Sequence, residues 1–482
     1  MKTTMKAKIS VAELTALKAA PERIIELHSE KLYALTPAEQ ADLQLDGLRK
    51  RFTELRERIP ILGKFSENQG IREIRRIEDA APLLLPHSTY KSYSLSVIER
   101  GQFDRLTRWL AGLTSHDLSK LDVSQCETID DWIQLLDAQT PIRIIHSTGT
   151  TGKLSFLPRS EVEVERMVEG WRHTFDVFGG EAPRIAVPVE QAPVIFPWYR
   201  NGAMAYHRLL DGMVKYLFRG DEGMIYALNS GRLSADAISL AGRMRAAQAK
   251  GELGMLQVSP KLAARREIFL KEQAEAPTRI EKYLARLRRE IPGRSVGVIG
   301  SLPQLFDLAS AATASNINNL FHPVSHVAAG GGNKGRELPD DWDKIVMRFL
   351  GVPRLSDGYG MSEVVVGTRA CPESRYHLPA FVVPFVLDPT TGQPLPRSGT
   401  QTGRLGVFDL NAQTYWGGFL TGDKVTLSWG DQACACGRIG PYLHKGIRRF
   451  SEEEGGDDKI TCAGAPDAHD KAIDFILQAA GG

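Results

Sequence analysis

The sequence predicts an α/β protein: a large domain of alternating strands and helices, then a small β-rich part and a short charged tail. Three observations carry this expectation. From residue 140 onward, β-branched runs end in Gly/Ser/Thr loops: PIRIIHST (141–148), SVGVIGS (295–301), VSHVAAGGG (324–332) and PRLSDGYG (353–360). Between them lie stretches with apolar residues at helical spacing, EVEVERMVEGWRHTFDVF (161–178) and IEKYLARLRREI (280–291). After about residue 395 the pattern turns to short strands and turns, GRLGVFDL (403–410) and TYWGGFLTGDKVTL (414–427). Repeated strand-then-glycine units predict a sheet whose strand ends share one cleft.

In chain order, residues 10–58 read as helical. Thr36-Pro37-Ala38-Glu39 is a capping box with proline at the first helical position, followed by leucines at helical spacing. Residues 71–140 mix short helices and polar turns, and APRIAVPV (182–189) and APVIFPW (192–198) continue the strand-like series. The segmentation expected is a helical N-terminal part over 1–139, a core over 140–445 and a C-terminal remnant over 446–482.

Composition excludes several classes. The net charge of +2 leaves no electrostatic footprint for nucleic acid or a membrane surface. No stretch of eighteen apolar residues marks a transmembrane helix, and MKTTMKAKISVAEL lacks the apolar centre of a signal peptide. Five cysteines in 482 residues are too few and too odd in number for a disulfide framework. A cytoplasmic, enzyme-sized globular protein is expected.

HSTGTTGKLSF (146–156) follows the PIRII strand and has no apolar payload. Backbone amides freed by glycine, together with hydroxyls and one lysine, suit a phosphate. The P-loop spacing would need Gly at 147 and Ser or Thr at 154, where Ser147 and Leu154 stand, so this is not a P-loop. A plain Ser/Thr/Gly turn is the alternative.

Three more stretches bear on function. VAAGGGNKGREL (327–338) is a second glycine-rich loop after a strand, equally readable as a flexible turn. In DGYGMSE (357–363), Tyr359 suits stacking on a base, Ser362 an oxyanion and Glu363 Mg²⁺; capping of a helix by Ser362 and Glu363 is as economical. TGDKVTL (421–427) sets Asp423 at a turn, to bind a ribose or simply to make the turn.

Taken in order over roughly 140–445, these motifs resemble the adenylate-forming (ANL) superfamily of acyl- and aryl-CoA ligases, peptide-synthetase adenylation domains and luciferases. STGTTGK is similar to the family's phosphate loop but lacks its proline, DGYGMSE to its Y-G-x-T-E motif with Ser for Thr, and TGD to its ribose motif. CACGRIGPYL (434–443), residues 368–396 and GDDKITCAG resemble the branch of phenylacetate–CoA ligases and LuxE-type acyl-protein synthetases.

The resemblance implies a large ANL-type N-terminal domain of α/β subdomains, a small β-rich subdomain and a truncated C-terminal lid. It implies an AMP-forming acid ligase: a carboxylic acid attacks ATP to give an acyl-adenylate and pyrophosphate, and the acyl group passes to a thiol of a protein, a carrier or CoA. Adenylation feeding a non-thiol acceptor and a non-catalytic nucleotide-binding subunit are the alternatives. By the same resemblance Ser147, Thr148, Gly149, Thr150, Thr151, Gly152 and Lys153 hold the ATP phosphates. Gly331, Gly332 and Asn333 line the adenine, Tyr359 stacks on it within Asp357, Gly360 and Met361, Ser362 meets the α-phosphate, and Glu363 takes Mg²⁺. Lys153, Ser362 and Glu363 are the catalytic set. Asp423 binds the ribose with Arg438, for which Arg448 or Arg449 could substitute.

Cys371, His377, Cys434 and Cys436 form a C-x₅-H…C-x-C set suited to a structural Zn²⁺; four unrelated buried or turn residues are the plain alternative. Trp198, Tyr206 and His207 are expected at the wall of the acyl pocket, although an aromatic-rich stretch also suits core. His146 suits either substrate contact or structure. Only 37 residues follow Lys445, fewer than the family's usual lid, so Lys459 is the nearest substitute for the lid lysine and a partner protein could replace the lid. Cys462 becomes an expected acyl acceptor, against the plain reading of a small core residue.

Overall fold

The structure is a computed structural model, described over residues 9–147, 153–178, 181–252, 254, 258, 260–330, 332, 336–364 and 367–451. It is a mixed α/β fold built around a parallel sheet and an antiparallel sheet.

The N-terminal capping box forms as the residues require. Thr36 Oγ1 accepts from Glu39 N at 3.3 Å and Glu39 Oε2 accepts from Thr36 N at 2.8 Å, starting α1 (Pro37–Leu55). Its apolar stripe, Leu43, Leu48, Phe52 and Leu55, is buried in the same core as Phe408 of the antiparallel sheet and Phe381 and Trp416 beside it. Polar side chains on that stripe reach the sheet too: Gln44 Nε2 donates to the carbonyls of Ala380 and Val382, and Arg51 Nε to that of Leu410 at 3.0 Å.

Helix α2 (Ile129–Gln139) leads into a hairpin of β1 (Ile142–His146) and β2 (Phe156–Ser160), and α3 (Glu161–His173) follows directly. The parallel sheet comprises β3 (Val194–Asn201), β4 (Ile225–Arg232), β5 (Gly297–Ser301) and β6 (His326–Gly330), in the order β4-β3-β5-β6. The first strand therefore has its successor on one side and later strands on the other, a topological switch whose carboxyl-end crevice is a natural ligand site. Pro197 within β3 has no N–H to donate, and the β3–β4 register shifts between Phe196 and Tyr199.

Helix α4 (Ala235–Lys250) and α2 cap one another. Asp236, second in α4, accepts from Ile129 N and Asp130 N at 2.9 and 3.0 Å. Asp130, second in α2, accepts from Ala235 N at 2.9 Å and Ser234 Oγ at 2.7 Å. Each carboxylate serves the free amides of the other helix, where the dipole favours negative charge.

Beyond β6 the chain forms a two-strand ribbon, β7 (Gly358–Tyr359) with β8 (Thr368–Arg369). Then β9 (Tyr376–His377), β10 (Val382–Leu387), β11 (Thr400–Asp409), β12 (Gly418–Ser428) and β13 (Tyr442–Leu443) build the second sheet, order β9-β13-β12-β11-β10. Strand β14 (Arg448–Arg449) and the segment Leu85–Pro86 also pair with β12.

Two strand expectations need correction. APRIAVPV forms no strand: Pro183 and Pro188 remove ladder donors, and Ala186 N donates instead to Ser295 Oγ at 3.0 Å. PRLSDGYG yields only a single bridge, Ser356 to Ala328, and the two residues of β7. No helix among the described residues is long and apolar enough to cross a membrane.

Candidate functional site

The hydroxyl-rich stretch connects β1 to β2 along the chain. Its neck is closed by Ser147 N donating to Ser155 O and Ser155 N to Ser147 Oγ, both at 3.2 Å. Residues 148–152 lie outside the described residues, as do Gly331, Asn333, Lys459 and Cys462. Lys153, at the loop's exit, donates from Nζ to Tyr93 O at 2.6 Å and sits over the Tyr93 ring. Together with Ile61, Ser88, Thr89, Lys91 and Ser92 it lines an open groove of about 460 Å³ that carries two cations and three hydroxyls.

The 357–363 stretch sits where the parallel sheet ends, because Ser356 bridges β6 two residues before its terminal Gly330. Gly360 is required there: a Cβ would lie 2.9 Å from Gly367 Cα, where the two arms of the ribbon touch. Met361 packs partly buried against the core, and Ser362 and Glu363 form a turn rather than a helix start. Gly332 adopts a positive φ of 59° in the neighbouring glycine loop.

Tyr359 and Asp423, 64 residues apart, meet here. Tyr359 Oη donates to Asp423 Oδ2 at 2.6 Å, and Arg449 Nε pairs with Oδ1 at 3.1 Å. The second pairing follows from register, since Asp423 on β12 stands opposite Arg449 on β14. Burial, and after it the Asp423 charge, hold the Tyr359 phenol well above its ordinary pKa, so it remains a donor.

Arg438 stands elsewhere. It pairs with Glu181 at 2.7 Å and lies over Phe178 and Tyr33, on the cysteine side of the sheet. Of the three arginines considered from sequence, Arg449 is the one at Asp423. Nothing in the local pattern separates them, because the two-residue strand that selects Arg449 is formed only by pairing with β12.

A residue the motif reading missed grips the Ser362–Glu363 turn. Arg159 on β2, fully buried, donates from Nη2 to Ser362 O at 2.7 Å. Its guanidinium lies 5.4 Å from the centre of the Tyr415 ring, and Tyr415 Oη donates to Glu363 O at 3.2 Å. A stacked pair thus holds two successive carbonyls, while the Glu363 carboxylate makes no hydrogen bond or ion pair with a described residue. The only sequence signal was an arginine in a short, mostly apolar strand.

The four zinc-set residues come together, with ligand atoms all within 4.8 Å of one another. Strand β9 pairs with β13, and the loop before β13 folds back as a tight knuckle: Gly437 N donates to Cys434 O at 2.7 Å, with Gly437 at φ 89°. Arg375 and Arg438 donate to Cys434 Sγ and Cys436 Sγ, and the Nδ1 of His377 is buried without a partner among the described residues. A hydrogen bond from Cys436 brings the Cys371 thiol down to about 7. Three thiols, one imidazole and flanking cations suit a closed thiolate-rich metal site.

The acyl-pocket trio divides. His207 is wholly buried: Nδ1 accepts from Met204 N, Nε2 donates to Tyr199 O, and burial drives its pKa to about 3. Trp198 stacks on it at 5.8 Å, and both are internal braces. Tyr206 is different, because its hydroxyl would lie 3.2 Å from a Cβ placed on Gly330, at the glycine loop. His146 is buried too, its pKa lowered to about 4, with Nδ1 against Ser147 O.

No protein-family model matches the sequence, and no curated protein does. Among solved structures, an open conformation of 2-hydroxyisobutyryl-CoA ligase with 2-HIB-AMP and CoA is similar at 13% identity and a TM-score of 0.48, over 87% of this chain and 76% of that one. ATP-bound MatB from Rhodopseudomonas palustris is similar at 14% identity and a TM-score of 0.32, over 62% and 46%. A luciferase-like enzyme from the mealworm Zophobas morio is similar at 13% identity and a TM-score of 0.32, over 64% and 56%.

Proposed function

We propose that the protein adenylates a carboxylic acid with ATP, releasing pyrophosphate, and transfers the acyl group from the acyl-adenylate to a thiol, releasing AMP. The observation that carries this is the Tyr359–Asp423–Arg449 cluster at the carboxyl end of the parallel sheet. An aromatic face joined to a fixed carboxylate is a nucleoside seat: the ring takes a base and the carboxylate oxygens take vicinal hydroxyls. The order of motifs along the chain supports the same reading.

In this reading the stretch connecting β1 to β2, with Lys153, holds the β- and γ-phosphates, and Ser362 bonds the α-phosphate. Glu363 would hold Mg²⁺, which neutralises phosphate charge when bound. The chain's part is to align the attacking carboxylate and to stabilise the leaving pyrophosphate with preorganised donors. Tyr206, beside the glycine loop, is assigned to the acid's end of the cleft. The finer placement, in the phenylacetate–CoA ligase and LuxE-type branch, rests on the CACGRIGPYL resemblance. The Cys371–His377–Cys434–Cys436 set is assigned a structural Zn²⁺ that ties the turn after the ribbon to the β12–β13 loop.

ATP–pyrophosphate exchange across a panel of aryl and fatty acids tests the activity. Exchange with one acid class is expected, and a protein that binds ATP yet exchanges with none of them refutes it. Metal analysis of the purified protein is expected to find one zinc per chain.

A further inference from the structure

A second cavity, of about 300 Å³, is lined by Arg184, Arg354, Arg369 and Lys445 together with the carboxylates of Glu181 and Asp357. Four cations thus face two anions, and both anions are already engaged. Glu181 takes Arg184 and also Arg438, at 2.7 Å, while Asp357 accepts from Tyr376 Oη at 2.8 Å and stands 3.7 Å from Lys445. The cations are crowded. Arg184 Nη1 and Arg369 Nη1 donate to the same carbonyl, Thr174 O, at 3.1 and 2.9 Å. That brings two guanidinium groups to one acceptor. Arg354, exposed, has no hydrogen-bond or ion-pair partner among the described residues, and Arg184 Nε is buried without one. Burial, and after it the charges of Arg438 and Arg354, push the Arg184 pKa down despite Glu181.

Like charges gathered in a partly desolvated cavity repel one another, and an anion among them turns repulsion into attraction. Guanidinium forks match the oxygens of a phosphate better than a spherical anion. The four cations outnumber the two carboxylates, a balance that favours a phosphate, which carries close to two negative charges at neutral pH.

We propose that this cavity is a phosphate site, in which Arg184, Arg354, Arg369 and Lys445 bind inorganic phosphate or the phosphomonoester of a larger ligand. It borders the Tyr359–Asp423 cleft and shares Asp357 with it, but none of its four cations is a residue of that cleft, so it stands whether or not the chain adenylates an acid.

Equilibrium binding by the full chain, in saturating AMP to block the cleft, tests this with two probes: inorganic phosphate and adenosine 3′,5′-bisphosphate. The wild type is expected to bind phosphate saturably. Arg354→Gln/Arg369→Gln is expected to weaken it at least tenfold, and Lys153→Gln to leave it unchanged. Tighter binding of the bisphosphate identifies a nucleotide phosphomonoester as the source; equal binding identifies free phosphate. Lys445→Gln, at a 58% exposed side chain, gives a second loss of affinity without risk to the fold. Absence of saturable binding of either probe overturns the proposal. So does affinity that survives the double substitution or disappears with Lys153→Gln instead.

Discussion

Replacing Arg159 by methionine separates stability from activity. In the folded protein the guanidinium makes one charged hydrogen bond, to Ser362 O, and one stacking contact, to Tyr415. These are worth roughly 1.5–3 kcal/mol and up to about 2 kcal/mol. Against them stands a fully buried cation whose Nε and Nη1 have no hydrogen-bond partner among the described residues. Each such orphan costs about 1–3 kcal/mol, on top of several kcal/mol for desolvating the charge. The costs match or exceed the gains, so Arg159→Met, apolar and of similar reach, is expected to leave the unfolding free energy unchanged or to raise it by about 1–4 kcal/mol. Activity is expected to fall far more. Without the grip on Ser362 O, the turn that presents Ser362 and Glu363 can drift, and a displacement of about 1 Å costs roughly a hundredfold in rate. Urea unfolding and ATP–pyrophosphate exchange measure the two quantities. Arg159→Lys, which restores a donor but not the planar stack, is expected to recover part of the exchange and none of the stability difference. A destabilisation beyond about 3 kcal/mol with unaltered exchange per folded molecule would falsify the argument and make Arg159 a purely structural residue.

The remaining expectations follow from single contacts. Asp423→Asn is expected to weaken ATP binding roughly tenfold, the scale of one charge-assisted hydrogen bond, and Tyr359→Phe to weaken it less; calorimetry showing no change for Asp423→Asn removes the nucleoside seat. Asp236, raised to about 7 by burial and then by the Asp130 charge, has a folded pKa above its ordinary value. The folded state therefore binds the extra proton between about pH 4 and 7, and stability declines across that window by at most roughly 1.4 kcal/mol per pH unit. Asp236→Asn is expected to flatten this slope in melting curves taken from pH 5 to 7.5, and an unchanged slope assigns it to other groups. Gly430→Ala sets a Cβ 2.3 Å from Gly440 O at φ 75°, so the loop carrying Cys434 and Cys436 cannot close; loss of bound zinc is expected, and full retention counts against the closed-loop metal site.

What the sequence determined by itself was what depends on neighbours along the chain. The Thr36–Glu39 capping box, the amphipathic stripe of α1, the strands β3, β5 and β6 and the glycine after Tyr359 all answer to local rules of hydrogen bonding, periodicity and sterics. Where the local rules met a partner requirement, they were insufficient. APRIAVPV has strand composition but, with two prolines, no ladder to join. Three arginines near the C-terminal part of the described chain were equivalent in sequence; strand register alone put Arg449 at Asp423 and left Arg438 at Glu181. The cysteines and His377 were legible as a ligand set, yet only the pairing of β9 with β13 and the turn at Gly437 brought them within 4.8 Å. Arg159 and the basic cavity were invisible beforehand, because an arginine's worth is set by what surrounds it. Tertiary structure decides which cations are desolvated, which carbonyls they meet and which charges crowd together, since these are Coulombic quantities of distance in space rather than along the chain.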